Sequence, residues 1–217
     1  MLDQDTLYRL VAAGLILLIS FPVHEFAHAM AAYRLGDGTA KLLGRLTLNP
    51  IAHFDPLGGI LLLVSSLAGF GIGWAKPTPV NTANLEGGRR GDIIVSLAGP
   101  LSNLVLAAAA AIPLRYIIAT GVEVPSEVAI VLFYFVYINV VLMIFNLLPV
   151  VPLDGSHVLF ALMDPRTEYK YRPVLTQYGP IILLVSAFLP ILPGGQTVFG
   201  FILGIVADPI VSLLVGT

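Results

Sequence analysis

Three ionisable side chains interrupt the apolar run from Leu10 to Tyr33, and they sit together: His24, Glu25 and His28 in the pentapeptide HEFAH. Histidines four residues apart share one face of a helix, so both imidazoles can reach a single tetrahedral zinc ion. Glu25 is then placed to take a proton from a water held by that ion. The bland alternatives are a chance spacing or a pair of core histidines bonded to backbone carbonyls. Both are weakened by the setting, because placing His, Glu and His in lipid costs several kcal/mol unless a function requires it.

Two histidines need a third protein ligand and leave a fourth position for water. A further histidine six residues on would serve, but Arg34 stands there, and Ala31 stands where such a pattern has glycine. Asp154 is the better candidate. It lies in NLLPVVPLDGSHVL, where Pro149 and Pro152 remove backbone donors and end a helix, and Gly155 permits an unusual turn. An aspartate on broken backbone at membrane depth must face protein or a watery cavity. Without HEFAH nearby, an interfacial cap would be the simpler reading.

The elements that must bring these residues together are membrane helices. The chain has 217 residues, 57% of them hydrophobic and only 11% charged. Its mean hydropathy is +0.92, too apolar for a domain that needs a charged exterior. Spanning-length stretches, of about 20 residues each, fall at roughly 7–34, 93–118, 128–149, 174–192 and 196–215. A shorter run, 57–70, suits a re-entrant segment. The expected fold is an α-helical polytopic membrane protein with about five transmembrane helices, a re-entrant segment and short membrane-associated β-strands. The strands are expected in 36–54, which alternates around Leu42, Leu46 and Leu48, and in 71–91, where Pro77 and Pro79 restrict any strand to an edge. With no repeat or low-complexity tail, residues 1–217 read as one domain, with a core at about 7–160 and C-terminal helices at 174–215. The first apolar run lacks a basic leader and a small-residue cleavage site, so it reads as part of the mature protein.

Basic residues set the orientation. Arg34, Lys41, Arg45, Lys76, Arg89 and Arg90 lie between the first and second long helices, and Arg166, Lys170 and Arg172 follow the third. The loop between the second and third helices carries Glu123 and Glu127. The metal-binding side therefore faces the cytoplasm. The ligands independently require a re-entrant dip at 57–70. The HEFAH site is near the C-terminal end of the first helix, and Asp154 lies just past that of the third. They meet only if the two helices are parallel, which one span plus a re-entrant dip between them allows. A net charge of −2 with no basic stripe argues against nucleic acid, and the absence of cysteine excludes thiolate ligands and a cysteine nucleophile.

HEFAHAMAAYRLGD, then SLAGPLSNL, then NLLPVVPLDGSHV together resemble the site-2 protease family (peptidase M50) of intramembrane zinc metalloproteases, in its compact prokaryotic form. The resemblance covers roughly residues 20–160. It implies one Zn2+ per chain held by His24, His28 and Asp154, Glu25 as catalytic base, and Asn146 orienting substrate or stabilising the oxyanion. It also implies a transmembrane protein as substrate and a prokaryotic cell membrane as location.

Beside it stand weaker readings from the residues. His53 is either an oxyanion donor or gate, or a structural loop histidine. His157 is either near the ligands or merely interfacial. Gly99, Pro100, Ser102 and Asn103 read as a close-packing surface, with Asn103 bonding across helices. The segment Trp74 to Asn81 is expected to receive an unwound substrate by strand addition. A metal transporter or channel could use the same His and Asp residues, but it would not need Glu25. A catalytically inactive scaffold is disfavoured because every catalytic position is filled.

Overall fold

The computed structural model describes residues 4–67 and 73–216. The first apolar stretch forms α1 (Gln4–Leu15) and α2 (Phe21–Arg34), joined through a π-helical turn at Ile16–Ser20. Pro22 explains the join. It cannot donate to the preceding turn, and the ladder widens, with the Phe21 N–H reaching Ile16 O. Two single-turn helices follow, α3 (Thr39–Leu42) and α4 (Pro50–His53), then α5 (Pro56–Leu67). The long helices α6 (Arg89–Thr120) and α7 (Ser126–Leu147) come next, then α8 (Asp154–Leu162), α9 (Pro165–Phe188), α10 (Val198–Ile202) and α11 (Asp208–Val215).

Among the described residues, four helices are long and apolar enough to cross a membrane: Thr6–Arg34, Arg89–Thr120, Ser126–Leu147 and Val198–Val215. The expected fifth span, 174–192, falls largely within α9. There Pro173, Thr176, Gln177 and Pro180 dilute the apolar residues, and Arg166, Glu168, Lys170 and Arg172 occupy the first turns. The twelve residues of α5 reach about 18 Å at 1.5 Å per residue, short of a bilayer core of about 30 Å. Residues 68–70 of the expected dip lie outside the described residues.

The expected β-strands are absent among the described residues, where the one β-bridge is the isolated pair Leu192 and Gln196. Local hydrogen bonding is the reason. In the first zone Asn49 caps α4 by accepting from the Ile51 N–H at 3.1 Å, and Pro50 is preorganised for the first helical position. Gly36 and Gly44 take positive φ and turn the chain. In the second zone residues 73–81 have no partner strand among the described residues. Their donors go elsewhere: Lys76 N–H to His53 O at 2.9 Å, and Thr78 and Asn81 N–H to carboxylates of Glu25 and Asp37.

The centre of the fold is α6, which runs antiparallel to both α2 and α7. His28 meets Val95 and His24 meets Asn103, so the α6 number rises as the α2 number falls. The Gly121 turn then reverses the chain into α7, making α2 and α7 parallel, as the ligand pairing requires. Ala107 and Ala111 let α6 approach Val136 and Val140 of α7 and Val211 of α11 in one buried cluster.

Asp37, fully buried just past α2, ties this helix to the loop ahead of α6. It accepts from Thr39 N at 3.1 Å, Asn81 N at 2.8 Å and Asn84 Nδ2 at 3.1 Å. Burial pushes its carboxyl up, but the hydrogen bonds from Thr39, Asn81 and Asn84 outweigh this and hold it below the ordinary aspartate range. A depressed folded value stabilises above the unfolded pKa of about 3.9 and ceases to as pH falls through the folded value. Asp37→Asn turns an N–H toward a donor and is expected to lower stability by about 1–3 kcal/mol at pH 7. Thermal unfolding in detergent should show the gap from wild type narrowing below about pH 4. A pH-independent gap would contradict this.

Candidate metal centre

His24 and His28 of α2 and Asp154, the first residue of α8, bring their ligand atoms within 4.8 Å of one another. His24 Nε2 and His28 Nε2 are 3.1 Å apart, and Asp154 Oδ2 lies 3.2 Å from the first and 3.3 Å from the second. Tetrahedral ligands at about 2.0–2.1 Å from zinc are separated by about 3.3 Å, so this triangle already has the dimensions of a zinc site. His28 Nδ1 donates to Val95 O at 2.7 Å, which leaves Nε2 as a lone pair facing the triangle. Asp154 Oδ2 is buried without a hydrogen-bond partner. An orphaned buried oxygen beside two imidazole nitrogens is costly unless a cation satisfies them together.

Two glycines make the approach possible. A Cβ on Gly99 would sit 2.2 Å from His28 Nε2 and 2.7 Å from His24 Cε1. Gly99→Ala should therefore push the imidazoles out of register, lowering bound zinc at least about tenfold. Zinc analysis of the purified, folded variant tests this, and full occupancy would contradict it. A Cβ on Gly155 would meet Leu147 O at 2.2 Å. Gly155 does not take positive φ; its part is to let the first turn of α8 abut the end of α7, not to form the unusual turn expected from sequence.

Glu25 is buried next to the triangle. Its Oε2 accepts from Thr78 N at 2.6 Å, while Thr78 Oγ1 donates to Glu25 O at 3.0 Å. The segment 73–81 is thus clasped to the helix at the residue expected to act as base. A cavity of about 390 Å³ reaches His24, Glu25 and Asp154 and is also lined by Trp74, Ala75 and Asn146. A second, of about 200 Å³, reaches Glu25, His28 and Asp154 past Asp92, Ser96 and His157.

Of the weaker candidates, Asn146 faces the first cavity, its Nδ2 donating to Leu142 O at 2.9 Å. His157 lines the second cavity and lies 3.9 Å from Asp92. His53 belongs to neither. It is buried with Nε2 2.7 Å from Thr47 O and Nδ1 3.4 Å from Arg45 Nη2, and its carbonyl holds Lys76. Asn103 does more than join helices: its Oδ1 lies 2.7 Å from His24 Nδ1. The sequence reading missed Asn139, although an amide inside the apolar helix SEVAIVLFYFVYINVVLMIFNL was a visible signal. The Val95 carbonyl and the Thr78 N–H had no such signal, since backbone groups are the same at every residue.

The profile of peptidase family M50 matches residues 116–192, a stretch containing Asp154. Three relatives described as "Putative zinc metalloprotease" match most of the chain. YwhC of Bacillus subtilis is 43% identical over 81% of this chain and 79% of its own. Rip2 of Mycolicibacterium smegmatis is 31% identical over 87% and 73%, and Rip2 of Mycobacterium tuberculosis 31% over 89% and 75%. No solved structure matches. The chain belongs to peptidase family M50.

Proposed function

We propose that this chain is an intramembrane zinc metalloendopeptidase that hydrolyses peptide bonds in or near transmembrane segments of other proteins. The observation that carries this reading is the meeting of His24, His28 and Asp154 in one triangle, with Glu25 and Asp154 lining both cavities that reach it. His24, His28 and Asp154 hold the metal, and Glu25 is the base. Bound zinc supplies a polarised carbonyl and a water whose pKa falls to about 7. With Oε2 fixed by Thr78 N–H, Glu25 keeps Oε1 to accept the proton of the attacking water and return it to the leaving amine. Asn146 keeps one amide N–H and its oxygen to orient the peptide. His53 acts at a distance, holding the Lys76 backbone and with it the segment over the site.

The substrate must unwind before its carbonyl can be attacked. In this reading residues 74–77 receive the extended peptide along the wall of the larger cavity, and α5 dips into the membrane and returns. The basic residues in the segments that follow the first and third long helices support a site toward the cytoplasm. Ala75→Glu places a charge on the cavity wall. It should slow cleavage of a transmembrane substrate at least about tenfold, given a cost of about 2.5–3.5 kcal/mol for a charge at membrane depth. Zinc content should be unchanged. Unimpaired cleavage would remove this segment from the substrate path.

Reconstituted protein tests the function itself. Cleavage of a co-reconstituted transmembrane substrate should stop with a zinc chelator and resume with added zinc. Zinc flux across the same vesicles without cleavage would favour the transporter reading instead.

A further inference from the structure

Two asparagines lie fully buried between the spanning helices, Asn103 on α6 and Asn139 on α7. They form a chain of three hydrogen bonds that starts on backbone and ends on His24. Asn139 Nδ2 bonds Phe135 O at 2.9 Å, Asn103 Nδ2 bonds Asn139 Oδ1 at 3.0 Å, and Asn103 Oδ1 bonds His24 Nδ1 at 2.7 Å. A backbone carbonyl can only accept. That fixes Asn139 with its amino group toward Phe135 and its oxygen toward Asn103. The oxygen then demands a donor, which fixes the Asn103 amide in turn. The Asn103 oxygen is left facing His24 and can only accept. Reversing either amide would set two acceptors or two donors against each other without water to intervene.

We infer that Asn139, acting through Asn103, sets the tautomer of His24, holding its proton on Nδ1 so that Nε2 is free to bind the metal. This rests on the reading of His24 as a ligand. The two histidines are thus prepared differently: His28 directly by the Val95 carbonyl on α6, His24 by a relay anchored on α7. Asn103 and Asn139 are positioning residues. Metal affinity is consequently coupled to the docking of α7 on α6, because without Asn139 the Asn103 amide can turn over and donate to His24 Nδ1. The proton would then move to Nε2, the atom the metal needs.

A carboxylate at position 103 has no donor to offer, so it accepts from His24 whatever residue 139 is. This supplies a test in which packing and relay differ. Zinc affinity is measured by chelator competition on purified full-length protein. Asn139→Leu should weaken binding about 10–100-fold, the usual loss when a ligand's hydrogen-bond partner is removed. In an Asn103→Asp background, the same Asn139→Leu change should cost less than about threefold, since the relay has no further part to play. Equal losses in both backgrounds would mean that Asn139 only packs, and no loss in either would mean that no relay exists.

The tautomer can be read without any variant. The side-chain 15N resonances of His24 in zinc-free wild type should show a proton on Nδ1, and an unprotonated Nδ1 overturns the inference. Wild type with the proton on Nδ1 but no chelator-resistant zinc would defeat the ligand assignment and leave the relay standing. Tight zinc binding that is insensitive to Asn139→Leu would defeat the relay alone.

Discussion

Glu25→Gln should retain its zinc and lose its cleavage. The amide oxygen of the substituted side chain can still accept from the Thr78 N–H, so the clasp between α2 and the segment over the site is preserved. None of the three ligand atoms belongs to Glu25. What disappears is the second carboxylate oxygen, replaced by an amide nitrogen that cannot take a proton from water. General-base catalysis contributes about 10²–10⁴-fold, and the rate should fall by that amount at saturating substrate. Cleavage that survives the change would remove Glu25 from the chemistry. Zinc lost along with cleavage would mean that Glu25 supports the metal site.

Asp154→Ala should give the opposite pairing, with zinc and cleavage lost together. The wild-type triangle sets one negative oxygen against two neutral imidazoles, and removing it leaves a buried dication held by histidines alone. The effect is best read through stability. Ligand that binds only the folded state stabilises by RT ln(1 + [L]/Kd), about 4 kcal/mol at a thousandfold excess over Kd. Zinc should therefore raise the Tm of wild type and leave that of Asp154→Ala unmoved. A zinc-dependent rise in the Asp154→Ala variant would exclude this carboxylate as a ligand.

Helical periodicity made much of this site legible. HEFAH puts two imidazoles on one face whatever surrounds it, and Pro149 and Pro152 mark where the third long helix must stop before Asp154. Charge asymmetry pointed to the parallel pairing of α2 and α7, which the hydrogen-bond register bears out. The polar zones were misread, because alternation around Leu42, Leu46 and Leu48 says nothing of what the donors will find. Asn49 and Asp37 capture them locally, and helical turns replace the hairpin. The count of spans was too high because α9 ends in an apolar run but begins in charge. Gly99 looked like a packing residue and is one, but the partner it admits is the imidazole pair itself. The chain from Phe135 to His24 joins three helices, and its direction depends on which ends of two amides meet.

The most direct test of the zinc-protease account is to map the cut. Wild-type protein stripped of metal is incubated in vesicles with a transmembrane substrate, zinc is added back, and the fragments are identified by mass spectrometry. New termini are expected within or at the edge of the spanning segment, appearing only after zinc is restored and absent with Glu25→Gln. Termini confined to the substrate's soluble regions, or formed equally without zinc, would contradict it.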